Sequence, residues 1–166
     1  TRRVAVVNSA LCQGCGHRDV YTALNQTLAE YTDYKVFSDI GCYTLGINPP
    51  YNCADYLLSM GSSVGDGCGF SVSTDQKVAS FIGDSTFFHS GITGLINMNY
   101  NGAKGTVIIL DNRITGMTGH QQNPASGKNA KGEEAPAIDI ATLVRACGVK
   151  NVVEVDPFDI PEVERI

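Results

Sequence analysis

Residues 105–111, GTVIILD, form a near-continuous apolar run closed by an acid, which is typical of a strand buried on both faces of a parallel sheet. Similar patterns predict strands at 35–40, 77–82 and 150–155. Helices are predicted at 17–31, 60–70, 87–100 and 138–148, with Ser85 as the N-cap of the third and Gly148 as the C-cap of the fourth. Strands that alternate with helices predict an α/β fold, a parallel sheet flanked by helices on both faces.

Length and composition limit the class of protein. The 166 residues predict one domain, spanning 1–166, with its own core. The composition is 43% apolar and 17% charged, which excludes a disordered chain, and the net charge of -5 argues against nucleic acid or an anionic membrane as partner. No apolar run approaches the roughly 20 residues of a membrane span, and no signal-peptide pattern opens the chain, so we expect a cytoplasmic protein. A first residue other than Met, and a helix-like start in PEVERI at the end, suggest a segment of a longer chain.

The six cysteines do not indicate a disulfide framework, because the chain is long and shows no secretory signal. CQGC at 12–15 is therefore a candidate for a metal, cluster or redox site.

A different feature is the segment at 112–136, which has no clear hydrophobic period. A loop of that length inside a compact domain is usually functional or mobile, and we expect it to be mobile without a ligand.

Polar residues follow two of the predicted strands at the point where each strand ends. Asp84 follows the strand at 77–82, and Asp111 and Asn112 follow TVIIL. Ligands bind beyond the carboxyl ends of parallel strands, and a single helix connects these two, so their ends are expected to be neighbours. Taken alone, Asp84 could be a helix cap, an ion-pair partner or a metal ligand. Together with Asn112 it offers hard oxygen ligands for Mg²⁺ or Ca²⁺, and the helix starting near Ser85 offers N–H groups to a phosphate.

The spacing of these residues resembles a known motif. Gly83-Asp84-Ser85, followed 28 positions after Asp84 by Asn112, is similar to the thiamine diphosphate motif, although Ser85 replaces a Gly and Asp111 replaces an Asn. With CQGCGHR, SDIGCYTLG, GDSTFFHSGITGLIN and ILDNRITGMTGHQ, the chain resembles the 2-oxoacid:ferredoxin oxidoreductases, and within them the branch that acts on indolepyruvate.

The resemblance implies a site as well as a fold. It implies that Mg²⁺ is held by Asp84, Asn112 and the main-chain carbonyl of Ile114. The cofactor-binding residues that it implies are Gly41, Cys42, Gly61, Gly83, Asp84, Ser85, Thr86, Asn112, Ile114, Met117 and Thr118. It also implies that Cys12, Cys15 and Cys42 are candidate ligands of a [4Fe–4S] cluster in the full-length subunit. His17 and His89 are candidates for proton transfer, since imidazole titrates near neutral pH.

The activity implied is oxidative decarboxylation of an aryl 2-oxoacid, such as indolepyruvate, to an acyl-CoA with ferredoxin as electron acceptor. The implied partners are a pyrimidine-binding domain and a ferredoxin-like domain of the same longer chain, a second smaller subunit, ferredoxin and coenzyme A, in an oligomer. Pyruvate or 2-oxoglutarate remains an alternative substrate. A second class of function also stays open, namely an iron–sulfur or metal electron-transfer module built on the cysteines without thiamine chemistry.

A second Gly-Asp-Gly sequence, at 65–67, spells the thiamine motif literally. No strand is predicted before it, and the residue 28 positions after Asp66 is Gly94, which has no side-chain ligand. We therefore expect the metal site at Asp84 rather than at Asp66.

Overall fold

The computed structural model describes residues 10–166 and contains a four-stranded parallel sheet with the strand order β2-β1-β3-β4. The strands are β1 (Tyr34–Ser38), β2 (Tyr56–Leu57), β3 (Lys77–Gly83) and β4 (Thr106–Leu110). The helices are α1 (Gly16–Leu28), α2 (Ser62–Ser73), α3 (Asp84–Thr86), α4 (Ile92–Tyr100), α5 (Ile140–Ala146) and α6 (Ile160–Arg165). A 3₁₀ helix (Cys42–Ile47) follows β1, and a π-helical segment (Phe87–Gly91) joins α3 to α4.

Both faces of the sheet are covered, as the apolar strands predict. Successive strand side chains point to opposite faces, so Phe81 and Ile82 belong to different core clusters. The cluster around Phe81 includes Val20 and Tyr21 of α1, whereas the cluster around Ile82 draws on α2, α4 and α5. The α/β fold expected from the sequence is therefore confirmed.

The small residues at 60–70 form part of α2, which lies close to β3. A Cβ atom at Gly67 would be only 2.3 Å from Ser80 Oγ. Ser80 Oγ in turn donates a hydrogen bond to the carbonyl of Ser63 at 3.0 Å, within the buried face. The absence of a side chain at Gly67 is what lets helix and strand approach this closely.

One predicted strand does not form, and one strand of the structure was not predicted. Residues 150–155 do not form a strand: Val152 packs against the second core cluster, but Val153 and Val155 are exposed and the segment joins no ladder. An alternating pattern produces a strand only where a partner strand supplies hydrogen bonds. The short strand β2, in contrast, was not predicted, because two residues are too few to show a period.

The helical segment after β3 begins earlier than predicted. Its first helical residue is Asp84 and its N-cap is Gly83, so Ser85 is not the cap. Main-chain helicity continues through the π-helical segment to Tyr100. At α5, the C-cap is Cys147 rather than Gly148, which follows it with a φ of +92°. Gly148 thus takes the left-handed conformation that commonly ends a helix.

The remaining predictions concern the other Gly-Asp-Gly and the long loop. A short strand does precede residues 65–67, contrary to prediction, but Asp66 lies inside α2 and not at a strand end.

Residues 112–136, all of which the structure describes, contain turns and two isolated bridges instead of helix or strand. None of the helices within residues 10–166 combines the length and apolar character needed to cross a membrane.

Candidate functional site

The ends of β3 and β4 lie side by side, as the sequence predicts. Gly83 is the register partner of Leu110, so Asp84 and Asp111 each come directly after a paired position. Asp84 is buried, with 2% of its surface exposed, whereas Asp111 and Asn112 are exposed. A buried carboxylate therefore stands at this edge of the sheet beside a second acid and an amide.

The Asp84 carboxylate is held at both oxygens. Its Oδ1 accepts a hydrogen bond from the main-chain N–H of Ser85 at 2.6 Å, and its Oδ2 accepts one from Asn123 Nδ2 at 3.1 Å. Burial raises the pKa of Asp84; these two hydrogen bonds lower it, and the neighbouring Asp111 raises it again. A bound cation would stabilise the ionised form of this carboxylate in its buried place.

A tight turn follows β4 and presents the amide oxygen of Asn112. Asn112 Oδ1 accepts from the N–H of Ile114 at 3.2 Å, and Asp111 Oδ1 accepts from the N–H of Arg113 at 3.1 Å. Arg113 has a φ of +55° and its guanidinium lies 3.8 Å from Asp111 Oδ2. Among residues 10–166 no group of three or more His, Cys, Asp and Glu could hold a metal ion. A metal here would therefore depend on amide and carbonyl oxygens besides Asp84, a donor set that suits Mg²⁺.

Hydroxyl groups connect the strand ends. Thr115 Oγ1 donates to Ser85 Oγ at 2.8 Å, which joins the turn after β4 to the helix after β3. Thr86 Oγ1 donates to the carbonyl of Ile40 at 3.1 Å, which joins the same helix to the end of β1. These two hydrogen bonds thus link the ends of three neighbouring strands, β1, β3 and β4.

Asp39, at the end of β1, was missed by sequence reasoning. It is fully buried, and its carboxylate accepts hydrogen bonds from the N–H groups of Ile40, Gly61 and Ser63 at 2.8, 2.7 and 3.0 Å. These contacts fix the start of α2 beside the end of β1. They therefore place Gly61 at the same edge of the sheet as Asp84. The only local signal is an acid that follows an apolar strand, as at Asp84.

Two of the implied glycines pack against an aromatic ring. Cβ atoms at Gly41 and Gly83 would lie 2.3 and 2.5 Å from the Tyr43 ring. Tyr43 is buried, its hydroxyl donates to the carbonyl of Ile40 at 2.8 Å, and burial raises the pKa of Tyr43 to about 12. Close packing on Tyr43 thus accounts for both glycines; contact of their main chain with a cofactor stays a prediction.

Cys42 is half-buried at the start of the 3₁₀ helix that follows β1. Burial, and then the neighbouring Cys15 and Cys12, raise the pKa of the Cys42 thiol. Its sulfur also borders the long loop, because a Cβ atom at Gly116 would be 3.3 Å from it. The remaining cysteines pack in or against the two cores: Cys53, Cys68 and Cys147.

The histidines and the loop residues occupy different surroundings. His17 is buried with its ring edge-on to Tyr43, 6.2 Å between centroids, and burial lowers the pKa of His17. His89 is exposed in the π-helical segment, where Nδ1 lies 3.1 Å from Ser90 Oγ. Met117 and Thr118 are exposed on the loop. Proton transfer by either histidine stays a prediction.

Comparisons with known proteins show the family to which the chain belongs. The family model described as thiamine pyrophosphate enzyme, C-terminal TPP binding domain, matches residues 39–165. Indolepyruvate oxidoreductase subunit IorA of Methanothermobacter marburgensis is 54% identical over 155 residues, which cover 91% of this chain and 25% of that protein. The corresponding subunit of Archaeoglobus fulgidus is 45% identical, over 90% of this chain and 24% of that protein. The chain therefore spans about a quarter of the length of these relatives.

A solved structure shares the fold. The 2-oxoglutarate:ferredoxin oxidoreductase from Magnetococcus marinus, solved with 2-oxoglutarate, coenzyme A and succinyl-CoA, superposes with a TM-score of 0.82 at 19% identity. The match covers 97% of this chain and 59% of that one. At this identity the likeness shows the fold alone, whereas the family match spans most of the sequence and includes both strand ends of the site. The chain belongs to the family of C-terminal TPP-binding domains of thiamine pyrophosphate enzymes.

Proposed function

We propose that this chain is the domain that anchors thiamine diphosphate through Mg²⁺ in an oxidoreductase acting on aryl 2-oxoacids such as indolepyruvate. The observation that carries the proposal is the buried Asp84 at the end of β3, beside the turn of Asn112 at the end of β4, in a chain of this family. Ligands of parallel α/β sheets bind at this edge.

The metal ligands in this proposal are Asp84, Asn112 Oδ1 and the carbonyl oxygen of Ile114. Mg²⁺ binds a few protein oxygens and completes its shell with water and phosphate oxygens. The helical segment that starts at Asp84 directs main-chain N–H groups toward the same edge, where they favour a diphosphate. When bound, the cofactor supplies the carbanion stabilisation that decarboxylation of a 2-oxoacid requires. The protein's part is to hold the diphosphate and to orient the reactive ring.

The remaining cofactor contacts are proposed on the residues that surround these strand ends. Ser85 and Thr86 belong to the helix start, and their hydroxyl groups already bridge to neighbouring strands. The other proposed contacts, carried over from the resemblance, are Gly41, Cys42, Gly61, Gly83, Met117 and Thr118.

The substrate and partners are proposed from the relatives. Two relatives that are 54% and 45% identical are named indolepyruvate oxidoreductase subunits, whereas a 2-oxoglutarate synthase subunit KorB of Methanothermobacter marburgensis is 28% identical. Greater identity to the first group favours an aryl 2-oxoacid. We place the chain in a longer cytoplasmic polypeptide with a pyrimidine-binding and a ferredoxin-like domain. A second smaller subunit, coenzyme A and ferredoxin complete the reaction.

A second part of the proposal, carried over from the resemblance, is a [4Fe–4S] cluster held by Cys12, Cys15, Cys42 and a fourth ligand elsewhere; within residues 10–166 the three cysteines do not by themselves form a group that could hold a metal ion. Cys42 borders the loop after Asn112, so a cluster held by Cys42 would lie close to the cofactor and would accept electrons there. In the full-length enzyme, Cys42→Ser is expected to reduce electron transfer to ferredoxin while Mg²⁺ and thiamine diphosphate stay bound. Loss of cofactor binding instead would mean that Cys42 serves the cofactor and not iron.

The anchoring role is tested by calorimetric titration of thiamine diphosphate into the full-length protein with and without Mg²⁺. Asp84→Ala is expected to abolish Mg²⁺-dependent binding because, among the residues described, it removes the only buried carboxylate that directly follows β3 or β4. Asp66→Ala, within α2, is the control and should bind as the wild type does. Wild-type affinity in the Asp84 variant would refute the assignment. Iron content without any effect of thiamine diphosphate on the melting temperature would favour the electron-transfer module instead.

A further inference from the structure

Asn123 is a buried polar residue in the middle of a mostly exposed loop. Of residues 111–139, all of which the structure describes, only Asn123 and Ala125 are buried, at 7% and 4% exposure. Asn123 Nδ2 donates to Asp84 Oδ2 at 3.1 Å across a sequence separation of 39 residues. A single side chain thus connects the long loop to the carboxylate proposed to bind the metal.

The orientation of the Asn123 amide is determined by its two neighbours. Its Oδ1 accepts from the N–H of Ala125 at 2.9 Å, and its main-chain carbonyl accepts from both the N–H and the hydroxyl of Ser126 at 2.9 and 2.8 Å. The Ala125 N–H is a donor and needs the amide oxygen of Asn123, whereas the Asp84 carboxylate is an acceptor and needs the amide NH₂ group. The NH₂ group must therefore face Asp84, and no other uncharged side chain of this size offers both functions.

We infer that Asn123 is a positioning residue that orients Asp84 for the metal and couples the conformation of the long loop to metal binding. This inference rests on the proposed role of Asp84 as a ligand. With Ser85 N–H on Oδ1 and Asn123 on Oδ2, each carboxylate oxygen keeps a further lone pair for a cation. Partners that orient a ligand in this way typically contribute about 10- to 100-fold to metal affinity.

The coupling to the loop follows from the same hydrogen bond. If the folded arrangement of residues 123–126 favours metal binding, the metal must favour that arrangement to the same extent. The loop should therefore be more protected from hydrogen exchange at Ala125 and Ser126 when Mg²⁺ and thiamine diphosphate are bound.

Asn123→Asp separates this role from a purely structural one. Aspartate keeps the shape of the side chain and the oxygen that accepts from Ala125 N–H, so the turn is preserved. It replaces the donor to Asp84 with an acceptor that repels it. Asn129→Asp is the matched control in the same loop: Asn129 Oδ1 accepts from Lys131 N–H at 2.9 Å, and Nδ2 donates to the exposed carboxylate of Glu133 at 2.8 Å.

The test is a Mg²⁺ titration of the full-length protein at saturating thiamine diphosphate, with the melting temperature in EDTA measured in parallel. Asn123→Asp is expected to weaken Mg²⁺ binding by about 10- to 100-fold, and Asn129→Asp to leave it near the wild-type value. Should Asn123→Asp fail to fold, Asn123→Ala, which removes both amide contacts without adding charge, is expected to show the same loss.

Three results would overturn the inference. Wild-type or tighter Mg²⁺ affinity in both Asn123 variants would mean that the residue only holds the turn. Equal weakening by Asn123→Asp and Asn129→Asp would mean that a general disturbance of the loop, rather than the contact with Asp84, is responsible. Absence of Mg²⁺-dependent cofactor binding in the wild type would refute the proposed function, and this role with it.

Discussion

The buried carboxylate of Asp39 shows how one side chain holds two elements together. Asp39→Ala would leave the N–H groups of Ile40, Gly61 and Ser63 without their acceptor. An unpaired buried polar group costs about 1–3 kcal/mol, so the free energy of unfolding should fall by about 3 kcal/mol or more in urea. Asp139→Ala, which removes an exposed cap of α5, should cost much less. Equal losses in the two variants would contradict this account.

His17 should make the protein sensitive to mild acid. Burial lowers the pKa of His17 from 6.5, so between the folded pKa and that value the unfolded chain binds a proton that the folded chain does not. The free energy of unfolding should therefore decrease as the pH falls below about 6.5, by at most about 1.4 kcal/mol per pH unit. His17→Gln should show a weaker pH dependence in urea unfolding between about pH 7 and 5.5. An unchanged slope would mean that His17 does not contribute.

Sequence reasoning found some of these residues and missed others for a physical reason. Asp84 and Asn112 follow apolar strands directly, so the local pattern and the sheet rule together placed them at one edge. Asp39 and Asn123 act through hydrogen bonds to groups 22–39 residues away. No local pattern contains such partners, and only the folded chain shows them.

The start of α2 and the π-helical segment are in close contact at Gly61. This residue has a φ of +83°, and a Cβ atom there would be 2.0 Å from Ser90 Oγ. Gly61→Ala should therefore combine left-handed strain of roughly 1–2 kcal/mol with a steric clash. Urea unfolding should show a larger loss of stability than for Gly102→Ala, where φ is +61° but no atom lies within 4 Å of the added carbon. Equal losses would show that the contact with Ser90 is unimportant.

Helices and strands were predictable where the hydrophobic pattern is long and where the fold supplies the elements against which they pack or pair. The strands β1, β3 and β4 and the helices α1, α2, α4 and α5 were expected, with shifted ends. Residues 150–155 alternate apolar and polar side chains as a strand does, but they pair with no other strand. The strand β2 pairs with β1, but its two residues are too few to show such an alternation. Pairing, which depends on distant residues, decided both cases.

The domain by itself should be inactive. The proposed function requires a pyrimidine-binding domain besides this one, and the chain spans only about a quarter of the length of its relatives. Large apolar side chains remain exposed, among them Leu58 at 71%, Phe158 at 62% and Tyr100 at 85%. We expect the isolated chain to show no decarboxylation of indolepyruvate. We also expect it to self-associate in analytical ultracentrifugation, because exposed apolar surface is stabilised by burial against a second copy. Turnover by the isolated chain, or a strictly monomeric state, would contradict this prediction.

The position of the metal tests the central claim most directly. A crystal structure of the full-length protein with thiamine diphosphate and Mn²⁺, an anomalous scatterer that accepts the same oxygen ligands, would locate the ion. The account predicts an anomalous peak, distinct from any peak of iron, about 2.0–2.1 Å from oxygen atoms of Asp84, Asn112 and Ile114 and in contact with the diphosphate. A peak at Asp66, or a diphosphate bound away from the ends of β3 and β4, would contradict it.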